Sequence, residues 1–188
     1  MSEVTRVYAG RLAGMVVRGP ETDVIGRVRD VVVNVRPAGH QSRVLGLVVE
    51  MTNKRRIFLP MLRIASIDPH EIMLVSGSVS LRAFKPRTGE LTIMGDIIGA
   101  KVQVDDPDLP KIHAKPVEVA DIEIERTRTR DWAISAVAVI SERAKFGRRT
   151  EILIASWRHV HGITAAGVGI SDAAAELLAE FEDMRPAD

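Results

Sequence analysis

The sequence predicts a mainly β protein: two tandem small antiparallel β-barrels followed by one C-terminal α-helix. Three observations carry this. Val, Ile and Thr fill apolar runs of about four to seven residues, broken by Gly, Pro, Asp or Asn. Fixed spacings recur when the two halves are laid side by side. The last stretch changes to a helical period.

The predicted strands are, in order, Met15–Arg18, Gly26–Val35, Arg43–Met51, Arg56–Leu59, Ile72–Ser76, Ala100–Val104, Val117–Glu125, Trp132–Ser141 and Glu151–Ser156. Gly19-Pro20, Asp68-Pro69 and the stretch Asp105–Pro110 are turn signals. In Val117–Glu125 the apolar residues Val117, Val119, Ile122 and Ile124 alternate with charges, but the frame changes at Ala120-Asp121. Such a change predicts a bulge, which small barrels use to turn corners. Near the end, Ser171 suits an N-cap, and Ala174, Leu177, Leu178 and Phe181 form one apolar stripe at i, i+3, i+4, i+7. Pro186 stops that helix.

The repeat is specific at several points. Gly10–Gly14 followed by Met15 matches Gly95–Gly99 followed by Ala100, and Val28-Arg29-Asp30 matches Val119-Ala120-Asp121. Leu45–Glu50 matches Ile134–Val139, and Phe58–Arg63 matches Leu153–Arg158. On that basis residues 1–84 form the first unit, 85–168 a second, diverged unit, and 169–188 the helix and the start of a further domain.

Composition narrows the function classes. The chain has 188 residues, 46% of them apolar, and a formal net charge of +1, which suits a globular chain with a real core and not a disordered one. No apolar run approaches the ~20 residues of a membrane-spanning helix. No cationic and apolar leader opens the chain, so a cytoplasmic location is expected. Cysteine is absent, which excludes a disulfide framework, Cys-ligated zinc and a thiol nucleophile. Charge is uneven: residues 1–90 carry 14 Lys and Arg against 8 acids, whereas residues 172–188 carry six acids and one Arg. A basic front attracts anionic partners, although cations on strand edges also discourage edge pairing.

The stretches AGRLAGMVVRGPETDVIGRVRDVVVN, RVLGLVVE and RRIFLPMLRIASI resemble the PRC-barrel family. Its G-x-V-x-D pattern is Gly26-Arg27-Val28-Arg29-Asp30 here, and its hydrophobic-Pro strand ends at Pro60. The second copy departs, with Val117 in place of Gly26 and Ala155 in place of Pro60. Arg185–Asp188 resembles the phrase that opens the helical domain of MgtE-type magnesium transporters, which continue into CBS domains. The resemblance implies an N-terminal module of a longer, MgtE-like protein, at the inner face of the membrane. It implies regulation or protein contact and no activity of its own.

Chemistry-bearing patterns are few. No nucleophile elbow and no phosphate loop occur, so no catalytic and no cofactor-binding residue is assigned, and the chain is read as non-enzymatic. Asp105, Asp106 and Asp108 cluster but lack calcium-loop spacing, and a polar turn explains them better. His159 and His161, expected on one strand face, are half a zinc site without the other half. No metal site is assigned. Ala165–Gly169 reads as a flexible link.

Three basic clusters stand out: Lys54, Arg55 and Arg56; Arg126, Arg128 and Arg130; and Arg143, Lys145, Arg148 and Arg149. The first, between two strands, is the chosen interaction surface. Its charge reversal should weaken partner binding and leave the melting temperature nearly unchanged. Aromatics are 4% of the chain, too few stacking platforms for single-stranded RNA. The expected partner is a protein or the downstream domains of the same chain; exposed strand edges also allow a homodimer. Contact with the membrane is expected only through a downstream domain. The alternative is an RNA-processing adaptor resembling ribosome maturation factor RimM, which also carries a PRC-barrel.

Overall fold

The computed structural model describes residues 5–36, 40–143 and 149–168. The chain is mainly β. Its strands are β1 Arg6–Tyr8, β2 Val16–Arg18, β3 Val24–Asn34, β4 Arg43–Glu50, β5 Arg56–Pro60, β6 Ile64–Ile67 and β7 Glu71–Leu74. The second half continues with β8 Glu90–Thr92, β9 Lys101–Val104, β10 Pro116–Arg126, β11 Trp132–Glu142, β12 Glu151–Ser156, β13 Val160–His161, β14 Ile163–Thr164 and β15 Gly167–Val168. All nine predicted strands are present, within a few residues at their ends. The predicted helix around Ser171–Phe181 lies outside the described residues.

The repeat is visible in the hydrogen bonds. A helical turn, Ala9–Leu12 in one half and Ile93–Ile97 in the other, precedes β2 and β9. Gly14 and Gly99 end these turns at φ +83° and +85°, a conformation that favours glycine. Gly14 N–H then donates to the Val28 carbonyl at 2.8 Å, and Gly99 N–H donates to that of Val119 at 2.8 Å. The predicted bulge is found: the β10–β11 register shifts between Val119 and Asp121. The β3–β4 register shifts at the matching place, between Val28 and Asp30. The extra residue explains why Val28 and Val31, like Val119 and Ile122, are all buried although three apart.

Registers correct two of the sequence matches by one residue. Asp30 faces Val48 and Asp121 faces Ala138, so Leu45 corresponds to Ser135 and not to Ile134. Likewise Pro60 corresponds to Ser156 and not to Ala155, because each immediately precedes a 3₁₀ turn, Met61–Arg63 or Trp157–His159. Burial fixes this register: Leu59 and Ala155 are both 1% exposed.

Hydrogen bonding closes no barrel among the described strands. It runs in one open path, β13-β9-β10-β11-β4-β3-β2-β7-β6, with β1, β5, β8 and β12 attached at the side. The two halves exchange their first strands. β1 pairs with β10 of the second half, and β8 pairs with β3 of the first. One continuous core results, running from Val17 and Val28 to Val119 and Ile134. β4 and β11 meet at a seam, where Arg43 faces Ala133 and Ile134 N–H donates to the Ser42 carbonyl at 3.0 Å.

The exchange is locked by the aspartates of the repeat. Asp30 Oδ1 accepts from Val31 N–H and Met94 N–H, each at 2.8 Å, and its Oδ2 accepts from Gly95 N–H at 3.0 Å. Asp121 Oδ1 accepts from Ile122 N–H at 2.8 Å and Gly10 N–H at 3.0 Å. Each carboxylate thus satisfies free donors in the first turn of the opposite unit's helical segment. A Cβ at Gly10 would sit 2.7 Å from Asp121 Oδ2, so a larger residue there would push the carboxylate out of its place.

Candidate functional site

The basic clusters lie on β-hairpins, and the structure shows which of their cations are engaged. In the β4–β5 hairpin, the Glu50 side chain is 12% exposed, covered by the exposed cations around it. Arg29 Nη2 lies 2.7 Å from Glu50 Oε1, Arg56 Nε lies 3.4 Å from Oε2, and Lys54 Nζ lies 3.8 Å from Oε1. These cations, the Arg29 hydrogen bond foremost, hold the Glu50 carboxyl below its usual range. Of the predicted surface residues, Lys54 and Arg56 therefore serve a carboxylate of the fold. Arg55 ties the turn through its backbone, its N–H donating to Asn53 Oδ1 at 3.1 Å.

The second half repeats the arrangement with other residues. Arg143 and Lys101 flank Glu118, and its carboxyl is likewise held low, chiefly by the Arg143 hydrogen bond. Lys145 and Arg148 lie outside the described residues.

The other sequence candidates resolve into local structure. Asp106 is 8% exposed, and its Oδ1 accepts from Asp108 N–H at 3.0 Å. Asp105 Oδ1 lies 3.0 Å from His113 Nδ1. Among the described residues no three His, Asp or Glu side chains are grouped to hold a metal. His159 and His161 do not share a strand: His159 closes the 3₁₀ turn and only His161 belongs to β13. The expected link at Ala165–Gly169 is, over its described part, the turn of a tight hairpin, with Thr164 facing Gly167.

The seam between the units holds a cleft of about 410 Å³. One wall is Pro60, the 3₁₀ turn and β6, and the other is the β10–β11 hairpin. Met61, Leu62, Ile64 and Trp132 give it apolar surface, while Arg43, Arg126 and Arg130 border it with Asp131. Arg43 Nη2 lies 3.3 Å from Asp131 Oδ1. Thr127 N–H donates to the Asp131 carbonyl at 2.6 Å and Arg130 N–H to that of Thr127 at 2.9 Å, which fixes the hairpin tip. Arg130 itself sits at φ +66°, in the left-handed region.

The equivalent place on the other side of the seam is filled differently among the described residues. There Trp157 corresponds to Met61 and Ser42 to Trp132. Trp157 Nε1 donates to Ser42 Oγ at 3.0 Å, and Arg36 N–H donates to the same oxygen at 3.1 Å. Sequence reading noted Arg126 and Arg130 as charge but missed the cleft, because its walls come from segments some 60 residues apart. The signal it could have used is Leu62, an apolar residue between Met61 and Arg63 that is 87% exposed.

No described helix is long and apolar enough to cross a membrane. No curated protein matches the chain. The model of the actinomycetes SH3 domain matches residues 91–166, so the second unit is similar to that small β domain.

Proposed function

We propose that this chain is a non-enzymatic protein-interaction or regulatory module of two PRC-barrel-like units with exchanged first strands. It works on the cytoplasmic side as the N-terminal part of an MgtE-like, magnesium-transporter-related protein. The cleft at the seam supports the interaction reading: Arg43, Leu62 and Arg130 are exposed together along it. Similarity of residues 91–166 to an SH3-type domain supports the same class, since such small β domains commonly serve as contact modules. The Gly26–Asp30 pattern and the Arg185–Asp188 phrase support the MgtE-like context.

The test is an immunoblot of the native protein in its own cells, after separating membranes from cytosol. The expected product is larger than the 20.6 kDa of this sequence and partitions with membranes. A soluble product of that mass would overturn the transporter-related reading. Steeply salt-dependent co-sedimentation with ribosomes would then favour the RimM-like adaptor.

A further inference from the structure

We propose that the hollow beside β5 takes an acidic peptide segment of a partner protein, with one large apolar side chain seated against Phe58, Phe84 and Pro86. The inference rests on the interaction-module reading and adds to it a second surface, whose partner chemistry it names.

Shape is the first argument. Residues 82–87 cross the edge of β5. Ala83 bridges Ile57 in antiparallel fashion, and Phe84 N–H donates to the Arg56 carbonyl at 2.8 Å. The Phe84 ring stacks on that of Phe58, with centroids 6.2 Å apart. Together with Phe58 and Pro60, this segment lines a hollow of about 520 Å³. Phe58, Pro60 and Phe84 are half-buried and Pro86 is exposed, so the apolar seat is reachable. Because backbone bonds and the ring stack already hold the segment, binding has little left to order.

Charge is the second argument. Arg82, Lys85 and Arg87 border the hollow, and all three are exposed. Among the described residues no carboxylate lies within ion-pair distance of any of them. Glu90, the one acid in the wall, accepts from Arg87 N–H at 2.9 Å. In the neighbouring hairpin, by contrast, Glu50 already takes up Arg29, Lys54 and Arg56. Part of the basic excess of residues 1–90 is therefore left at this hollow without a counter-charge. Carboxylates of a partner supply it, and the two guanidinium groups match them in planar, bidentate geometry.

Single-stranded RNA fits less well. Its bases need open aromatic faces, whereas the Phe58 and Phe84 rings stack on each other, 26° apart, and are half-buried.

The experiment uses fluorescence anisotropy with the whole 188-residue chain. The probe is a fluorescein-labelled octapeptide of six glutamates and two central leucines. A lysine-for-glutamate counterpart, a serine-for-leucine counterpart, oligouridine RNA and phosphatidylglycerol vesicles are run beside it. Saturable binding of the acidic leucine peptide is expected, about threefold weaker when serines replace its leucines. Lys85→Glu should weaken it at least about fivefold, and Lys85→Gln by less, both at an unchanged melting temperature. Lys115→Glu, at an exposed cation of the second unit, should leave binding unchanged. No saturable binding overturns the proposal. So does an equal loss in Lys115→Glu, or tighter binding of RNA or vesicles that Lys85→Glu abolishes. If the peptide fails while the native protein still partitions as a larger membrane product, the assignment of this hollow falls and the module reading stands.

Discussion

The two units share a backbone plan and differ in how completely each is locked and filled. Both place an aspartate one residue past a bulge, and both aim it at the helical turn of the opposite unit. Yet Asp30 accepts three backbone N–H groups and Asp121 accepts two. The difference follows from the turns. The wider Ile93–Ile97 turn presents Met94 and Gly95 together, whereas the Ala9–Leu12 turn presents Gly10. The repeat therefore fixes a topology, and the local turn geometry sets how strongly each end of the exchange is held.

The largest expected effect comes from removing these carboxylates. Asp30→Ala should cost about 3 kcal/mol and Asp121→Ala about 2, since hydrogen bonds to a charged group contribute about 1.5–3 each when buried and less when half exposed. Urea titration of both variants checks the ranking, and equal losses would break the comparison. Next comes the glycine that the second unit lacks. A Cβ at Gly26 would lie 2.4 Å from the Glu50 carbonyl oxygen, whereas Val117 occupies the equivalent position with a side chain. Gly26→Val should destabilise by about 2 kcal/mol through overpacking against backbone. A neutral result in the same titration would mean that β3 and β4 can move apart at this position.

How much of this was legible follows the same division. Long strands announced themselves by period, and the β10 bulge by the broken alternation at Ala120. The strands missed at 6–8, 64–67 and 90–92 are three or four residues long, too short for a period to show. The exchange of β1 and β8 was not legible, because an identical edge is offered by each copy and only three-dimensional packing chooses between them. Matching by residue type placed Leu45 on Ile134 and Pro60 on Ala155, each off by one, since identity is blind to register. Gly26 and Asp30 were legible as members of the G-x-V-x-D pattern. That Asp30 reaches the other unit was not, because its donors lie 64 and 65 residues away. The basic hairpin was legible as charge; Glu50, which engages two of its three side chains, was overlooked as a lone acid at a strand end.

A smaller effect separates the two sides of the seam. Trp157→Phe removes the bond to Ser42 and should cost about 1 kcal/mol, leaving Ser42 Oγ with the Arg36 N–H. Trp132→Phe should cost less, since among the described residues no hydrogen bond holds its side chain across the cleft. A larger loss for Trp132, read from thermal unfolding of the two variants, would show that the open side is the structural one.

The smallest effects lie at the β4–β5 hairpin, where the ordinary expectation for a cluster of surface cations fails in a defined way. Arg55→Glu should leave the melting temperature unchanged, because no carboxylate among the described residues lies within ion-pair distance of its side chain. Arg56→Glu should lower it, because the new carboxylate faces Glu50, which Arg56 now approaches at 3.4 Å. The pH dependence gives the sign independently. The folded state holds the Glu50 carboxyl below its unfolded value, so this stabilisation is present above the ordinary glutamate range, near pH ~4.3. It is lost as pH falls through the lower folded value. Glu50→Gln should therefore narrow the gap in melting temperature between pH 7 and pH 3, and Arg29→Gln should do the same more strongly than Lys54→Gln, since Arg29 approaches at 2.7 Å and Lys54 at 3.8 Å. Identical acid limbs for the two cation variants would place the control of Glu50 outside this cluster.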